Sequence, residues 1–231
     1  MINCACVIHG NTYNWQYVDR LYNMLVRNIS STVHLHVYTE ANRTVPPYMI
    51  KHELTDWGIT GPKKSWWYKM QLFDPRHYQG PMLYLDLDTV IVKNITWIFH
   101  NPTRFFWTLK DFQYLYQPTC TNINSSVMWW DTTKYDYVWK EFQRRGITKI
   151  MEQYRGDQDF IKDVLPVNQR RYLERVHSWR WQCWNGGYDF QRRTWRNPGA
   201  GTNIQNTDIL VFHGNPKPAD VQDPVILEHW R

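Results

Sequence analysis

The chain has 231 residues, 42% hydrophobic and 21% charged, with a formal net charge of +6. These are the proportions of a globular protein with a full core, and no window approaches the roughly 20 apolar residues needed to span a bilayer. Aromatic residues reach 16%, with 14 Trp, which composition alone assigns either to a packed core or to sugar- and base-stacking surfaces. Ile2–Ile8 reads as a first strand, since "MINCACVIHG" lacks the basic leader of a signal peptide. From Trp15 to Asn28, Tyr17, Val18, Leu21, Met24 and Leu25 recur at helical spacing. Val33–Tyr38 and Met49–Leu54 read as strands, and Ser65 is placed to cap a helix carrying Trp66, Trp67, Met70 and Phe73. Further strands are expected at Phe105–Leu109, Ser126–Trp130 and Asp208–His213, and helices at Tyr135–Arg144 and Asp157–Leu165. Strands alternating with helices indicate an α/β fold with a largely parallel sheet. No internal repeat or Gly/Ser/Pro-rich linker divides the chain, so one domain over residues 1–231 is expected. Cys4, Cys6, Cys120 and Cys183 are too few and too scattered for a disulfide scaffold or a Cys/His zinc site. A cytoplasmic protein, soluble or peripherally bound to a membrane, is the expectation.

Two aspartates interrupt the most apolar run, "PMLYLDLDTVIV". A run of this kind reads as a strand buried on both faces, on which Asp86 and Asp88 would point the same way. Two neighbouring carboxylates repel each other and are costly to bury without a positive partner. As hard oxygen ligands in an Asp-x-Asp arrangement they suit Mg²⁺ or Mn²⁺ shared with phosphate oxygens. The alternative is an edge strand with a solvated acidic face, which the apolar residues on both sides fit poorly.

"LYLDLD" resembles the Asp-x-Asp motif of the GT-A fold glycosyltransferases, in particular the group of glycogenin and the bacterial lipooligosaccharide galactosyltransferases. Four companions follow in that group's order. "WWYKM" (Trp66 to Met70) offers Lys69 as the basic residue near the phosphates or sugar. "NINSSVMWWD" (Asn122 to Asp131) places Asn124 and Ser125 at the donor-sugar strand. "GDQDFI" (Gly156 to Ile161) supplies Asp157 and Gln158 beside the reacting carbon, and "VFHGNPKP" (Val211 to Pro218) supplies His213, Gly214 and Lys217. The resemblance implies a Rossmann-like mixed sheet flanked by helices, with a donor-binding half at about 1–130 and an acceptor side at about 131–231. It further implies Mn²⁺ or Mg²⁺ on Asp86, Asp88 and His213, a UDP-sugar donor, Asn11 and Tyr13 at the base, and retention of anomeric configuration. Two departures are visible. The family's metal-binding His stands three residues before the Gly, where this chain has Val211, and "HGNTY" lacks the usual acidic residue before the Asn-Tyr.

Other chemistries use an acidic pair as well. A nucleotidyltransferase or phosphohydrolase would need further carboxylates for a second metal or a base, and no G-x-x-x-x-G-K-[ST] loop occurs in the chain. A non-catalytic binder would use the late segment from Gln169 to Arg196. There Arg170, Arg171, Arg175, Arg180, Arg192, Arg193 and Arg196 mix with Trp179, Trp181, Trp184, Tyr188 and Trp195. Such a mixture suits an anionic membrane, a glycan or single-stranded nucleic acid, or else a solvated surface. It leaves Asp86 and Asp88 unexplained, and nucleic acid is the least expected partner.

Overall fold

The computed structural model of the protein describes residues 1–59, 64–185 and 201–231, together with backbone pairing at 188–189 and 194–195. The chain begins β1 (Ile2–Val7), α1 (Gln16–Asn28), β2 (Val33–Thr39), β3 (Ile50–Glu53) and a 3₁₀ helix at Ser65–Phe73. It continues through β4 (Pro81–Leu85), β5 (Thr89–Ile91), β6 (Phe106–Lys110) and β7 (Ile123–Asp131), then α2 (Asp136–Arg145), α3 (Ile147–Gln153) and α4 (Asp157–Val164). The last part holds β8 (Arg170–Tyr172), β9 (Val176–Ser178), β10 (Tyr188–Asp189), β11 (Thr194–Trp195), β12 (Ile209–Val211) and α5 (Pro224–His229).

Seven strands form one sheet in the order β3-β2-β1-β4-β7-β6-β8. The pairings are parallel except where β7 runs antiparallel to both β4 and β6. The sheet is therefore mixed, and both of its faces are apolar. Side-chain alternation divides the core between them. Cys4, Cys6, Leu83, Leu85, Val127 and Trp129 pack on one face with α1. Ala5, Met82, Tyr84, Met128 and Trp130 pack on the other with α2 and α4. Helix α1 has no side-chain cap. Its hold is the fully buried row Val18, Leu21, Met24 and Leu25, each worth about 1.5–3 kcal/mol in removed apolar surface. No helix among the described residues is long and apolar enough to cross a membrane.

Three expectations are corrected. The run from Pro81 to Val92 is not one strand. The Asp86 N–H makes a last ladder bond to the Ser126 carbonyl at 2.8 Å, and the Asp86 carbonyl then accepts from the Thr89 N–H at 3.2 Å and the Thr89 hydroxyl at 2.8 Å. This turn releases β4 from the large sheet and hands the chain to β5, which pairs with β12 in a separate three-stranded sheet. The second correction is Ser65–Phe73, a 3₁₀ helix whose N-cap position is held by Lys64, in the left-handed region at φ 72°, and not by Ser65. The third is the crowded Arg/Trp segment, where β8, β9 and a π-helical turn at Trp179–Cys183 were not anticipated.

Candidate active site

The turn that ends β4 places two acids at the carboxyl end of the sheet, where open α/β sheets hold their ligands. They line a cavity of ≈ 370 Å³ together with Val7, His9, Tyr13, Trp66, Lys69, Tyr84, Gly214 and Lys217. Asp86 accepts from the Tyr84 hydroxyl at 2.6 Å and pairs with Lys69 Nζ at 3.0 Å. Lys69 also reaches Asp157 Oδ2 at 3.4 Å and donates to Ser125 Oγ at 3.1 Å. The Ser125 hydroxyl in turn donates to Asp157 Oδ2 at 2.6 Å. Lys69 thus joins four elements: its own 3₁₀ helix, the start of the β4 turn, β7 and α4. Asp157 is not the cap of α4, a position held by Gly156. It lies one residue further on, 5% exposed, with its carboxylate turned to the sheet.

On the other side, Asp88 Oδ2 accepts from the Tyr13 hydroxyl at 2.8 Å and pairs with Lys217 Nζ. Three carboxylates therefore face two ammonium groups. Burial and the neighbouring Asp86 push the Asp88 carboxyl up, against Lys217 and Tyr13, which pull it down. Asp86 moves the other way. Its burial is outweighed by Lys69 and by the Tyr84 hydrogen bond. For Lys69, burial opposes the charge, but Asp157 and Asp86 outweigh it and hold the ammonium up at about 12. The centre as a whole holds one more carboxylate than ammonium groups.

The loop after β1 is braced from the next strand end. Gly10, at φ +65°, donates its N–H to Glu40 Oε1 at 2.6 Å, and Arg43 bridges Glu40 to the Gly10 carbonyl. A second cleft of ≈ 270 Å³ adjoins the first, sharing Trp66 as a wall. Asp111, Asn122, Arg155, Gly156, Asp157, Gln158 and Asp159 line it, and Gln158 Nε2 donates to Asp111 Oδ2 at 3.2 Å.

Of the residues expected from the sequence, Tyr13, Lys69, Asp86, Asp88, Gly214 and Lys217 line the first cavity, and Asp157 and Gln158 line the second. Ser125 joins Lys69 to Asp157. Three do not converge there. Asn11 is exposed, and Thr12 lines the cavity in its place. Asn124 turns its side-chain oxygen to the Ser126 N–H at 3.0 Å. His213 follows Phe212, whose N–H bonds the Asp88 carbonyl, yet its ring points elsewhere. Its Nε2 meets Ser178 Oγ at 2.7 Å, and the ring lies against Phe112 and Trp181. Burial, then Arg180 and Lys217, bring its pKa down to about 3. Among the described residues no three His, Cys, Asp or Glu side chains are grouped to hold a metal.

Among the lining residues not foreseen are His9, stacked on Tyr68 at 3.7 Å, and Tyr84; both come from strand ends, a placement that the order of strands in space decides. The Arg/Trp segment changes character. Trp179 is buried against Phe212 with ring centroids 4.7 Å apart, and Trp181 and Trp184 are half-buried. Arg170 donates to the carbonyls of Lys162 and Leu165, Arg171 lies over the Phe105 ring, and Arg175 pairs with buried Asp208. Arg192, Arg193, Arg196 and the side chains of Tyr188 and Trp195 lie outside the described residues.

No family model and no curated protein matches the chain. Solved structures do. The galactosyltransferase LgtC, crystallised with donor and acceptor sugar analogues, is 14% identical with a TM-score of 0.63, over 94% of this chain and 89% of that one. The glycosyltransferase GlyE of Streptococcus pneumoniae TIGR4, in its apo form, is 14% identical with a TM-score of 0.66, over 99% of this chain and 60% of that one. Mouse xyloside xylosyltransferase 1 is 14% identical with a TM-score of 0.51, over 93% of this chain and 97% of that one. These likenesses bear on the fold: with its seven-stranded mixed sheet flanked by helices, the chain has the GT-A fold.

Proposed function

We propose that the protein is a glycosyltransferase that moves a hexose from a UDP-sugar to a glycan or lipid-linked acceptor. The observation that carries this reading is the centre of three carboxylates and two lysines in an open ≈ 370 Å³ cavity at the strand ends. A purely structural ion-pair network gains little from such a place, because burying unequal charge costs stability. A divalent cation fits the donor set. Two carboxylates offer hard oxygens, and such ions commonly complete their shell from substrate phosphates rather than from further side chains. The excess of one carboxylate over the two ammonium groups supports the same assignment.

Asp88 and Asp86 would hold the cation, with His213 contributing only after leaving Ser178. The cation would supply positive charge to the diphosphate leaving group. The chain's own residues do the rest. Lys217 stabilises charge on the departing phosphate. Lys69 and Ser125 hold the Asp157 carboxylate in place. Asp157 and Gln158 grip hydroxyls of the donor sugar near the reacting carbon, and the cleft bounded by Trp66 and Asp111 admits the acceptor. Tyr13 lies against the base. Retention of configuration belongs to this proposal as well.

Calorimetric titration of UDP with Mn²⁺, with chelator, and on Asp88→Ala tests the reading. Binding that needs both the metal and Asp88 is the expected result, followed by donor hydrolysis with UDP-glucose or UDP-galactose. Absence of UDP binding under all three conditions would remove its basis.

A further inference from the structure

Asp88 is already engaged by the chain itself. Lys217 Nζ and the Tyr13 hydroxyl share its Oδ2, and the residue is only 6% exposed. An incoming cation therefore finds its principal carboxylate oxygen saturated. The two lysines of the centre are held differently. Lys69 is buried and anchored by Asp86, Asp157 and Ser125 at once, so releasing it would strand two acids. Lys217 is 23% exposed at its side chain and pairs with Asp88. It stands on the segment after Gly214, whose φ is +73°, and its own backbone is pinned separately, the Lys217 N–H bonding Asp220 Oδ2 at 2.9 Å. The side chain can leave without unpinning the backbone.

We infer that Lys217 is a releasable counter-ion that makes cation binding at Asp88 conditional on the nucleotide diphosphate. The inference rests on the UDP-sugar reading above. In the empty protein the ammonium neutralises Asp88 and offsets its repulsion by Asp86. A cation arriving alone must displace that ammonium and return it to water with no new partner. A diphosphate offers the ammonium a more highly charged partner within the same cavity and frees Asp88 Oδ2. Nucleotide and cation then bind as a pair. By linkage each raises the affinity of the other by one common factor.

The test counts free Mn²⁺ by its paramagnetic resonance signal during titration of the whole chain, with and without UDP, after subtracting Mn²⁺ taken up by UDP alone. Wild-type protein is expected to bind Mn²⁺ weakly until UDP is added. Lys217→Met is expected to bind Mn²⁺ alone about tenfold tighter or better, within the usual span of site coupling, and to gain less from UDP. Lys217→Arg keeps the charge and is expected to behave as wild type, which separates a specific pair from any general effect of net charge. Lys217→Gln replaces the Met variant should that variant not fold. If Lys217→Met binds Mn²⁺ alone no tighter than wild type, while UDP still promotes uptake in both, the counter-ion role is overturned and the sugar-nucleotide reading stands. UDP binding that is equal in all variants and indifferent to chelator overturns it too, since the diphosphate then uses no cation. If no variant binds UDP or Mn²⁺, the reading beneath it falls.

Discussion

At the strand ends Asp86, Asp88 and Asp157 face Lys69 and Lys217, whereas at the outer edge of the same sheet His36, His52 and His77 face Tyr38, Tyr78 and Asn3. Both clusters are polar and largely withdrawn from water. They differ in charge. His36 Nε2–H donates to Asn3 Oδ1 at 3.1 Å, which leaves Nδ1 to accept from His52 Nε2–H at 2.8 Å. That bond is lost once both rings are protonated, because neither facing nitrogen then has a free lone pair. Burial, then the neighbouring histidines, bring both pKa values down to about 4. The edge cluster is a polar core that excludes charge. The strand-end cluster retains charge, in unequal amounts, beside an open cavity. A fold keeps that arrangement where charge is to be handled, and a core that only had to be filled would resemble the edge.

The largest expected effect follows from removing the cation that serves both buried Asp157 and half-buried Asp86. Lys69→Met leaves Asp86 and Asp157 without their ammonium, and breaking a buried pair in this way costs about 3–5 kcal/mol. Urea unfolding measures it. Adding Asp157→Asn removes one stranded charge and should recover part of the loss. If Lys69→Met unfolds at the wild-type midpoint, the contrast between the two clusters has no energetic content.

Acid attacks the edge cluster in the next largest step. His36 and His52 titrate at about 4 in the fold, against an ordinary value of 6.5, so the unfolded chain binds more protons between those pH values. Their contribution is complete above about pH 6.5 and is lost as pH falls toward 4, a matter of a few kcal/mol for the pair. The facing groups do not reverse the sign. His34 and His77 add positive charge, and Asp74, which acts on Tyr38 and His77, is engaged by Arg76. Thermal melts of wild type and His52→Gln from pH 7.5 to 5 check this, the variant being expected to show the shallower fall. Asp88→Asn should separate binding from stability. It relieves repulsion by Asp86, so its melting point should stay near that of wild type, while Mn²⁺-dependent UDP affinity drops about tenfold or more, or ~1.4 kcal/mol.

The frame of the fold was legible because its signal is periodic. The helical spacing of Tyr17, Val18, Leu21, Met24 and Leu25 gave α1 to within one residue, and β-branched runs gave β1, β2 and β12. The break at Asp86 was hidden, since a run that leaves one sheet and enters another stays apolar on both sides of the turn. Asp86, Asp88, Lys69, Asp157 and Lys217 were visible as motifs. Which acid each lysine serves was not, because Lys69 lies 88 residues from Asp157 and only the sheet order brings them together. The Trp-rich segment misled for the same reason: Trp179 and Trp181 read as a surface until Phe212 and His213 arrive beside them from β12.

The smallest expected effect asks which part of Tyr13 matters. Its hydroxyl serves Asp88 at 2.8 Å, while its ring lies 4.8 Å from Tyr17 with the Lys217 ammonium 5.4 Å from its centre. Tyr13→Phe keeps the ring and removes one donor from a carboxylate that Lys217 still neutralises. The loss should be about 0.5–1.5 kcal/mol of stability, the usual net worth of one hydrogen bond, with UDP affinity nearly unchanged. Tyr13→Ala removes the ring as well and should weaken UDP by a further ~1–3 kcal/mol if the base stacks there. Equal UDP affinity in the Phe and Ala variants would take the ring out of the nucleotide site and leave Tyr13 as a support for a charged carboxylate, Asp88, whereas the edge aromatics stack on one another among neutral partners.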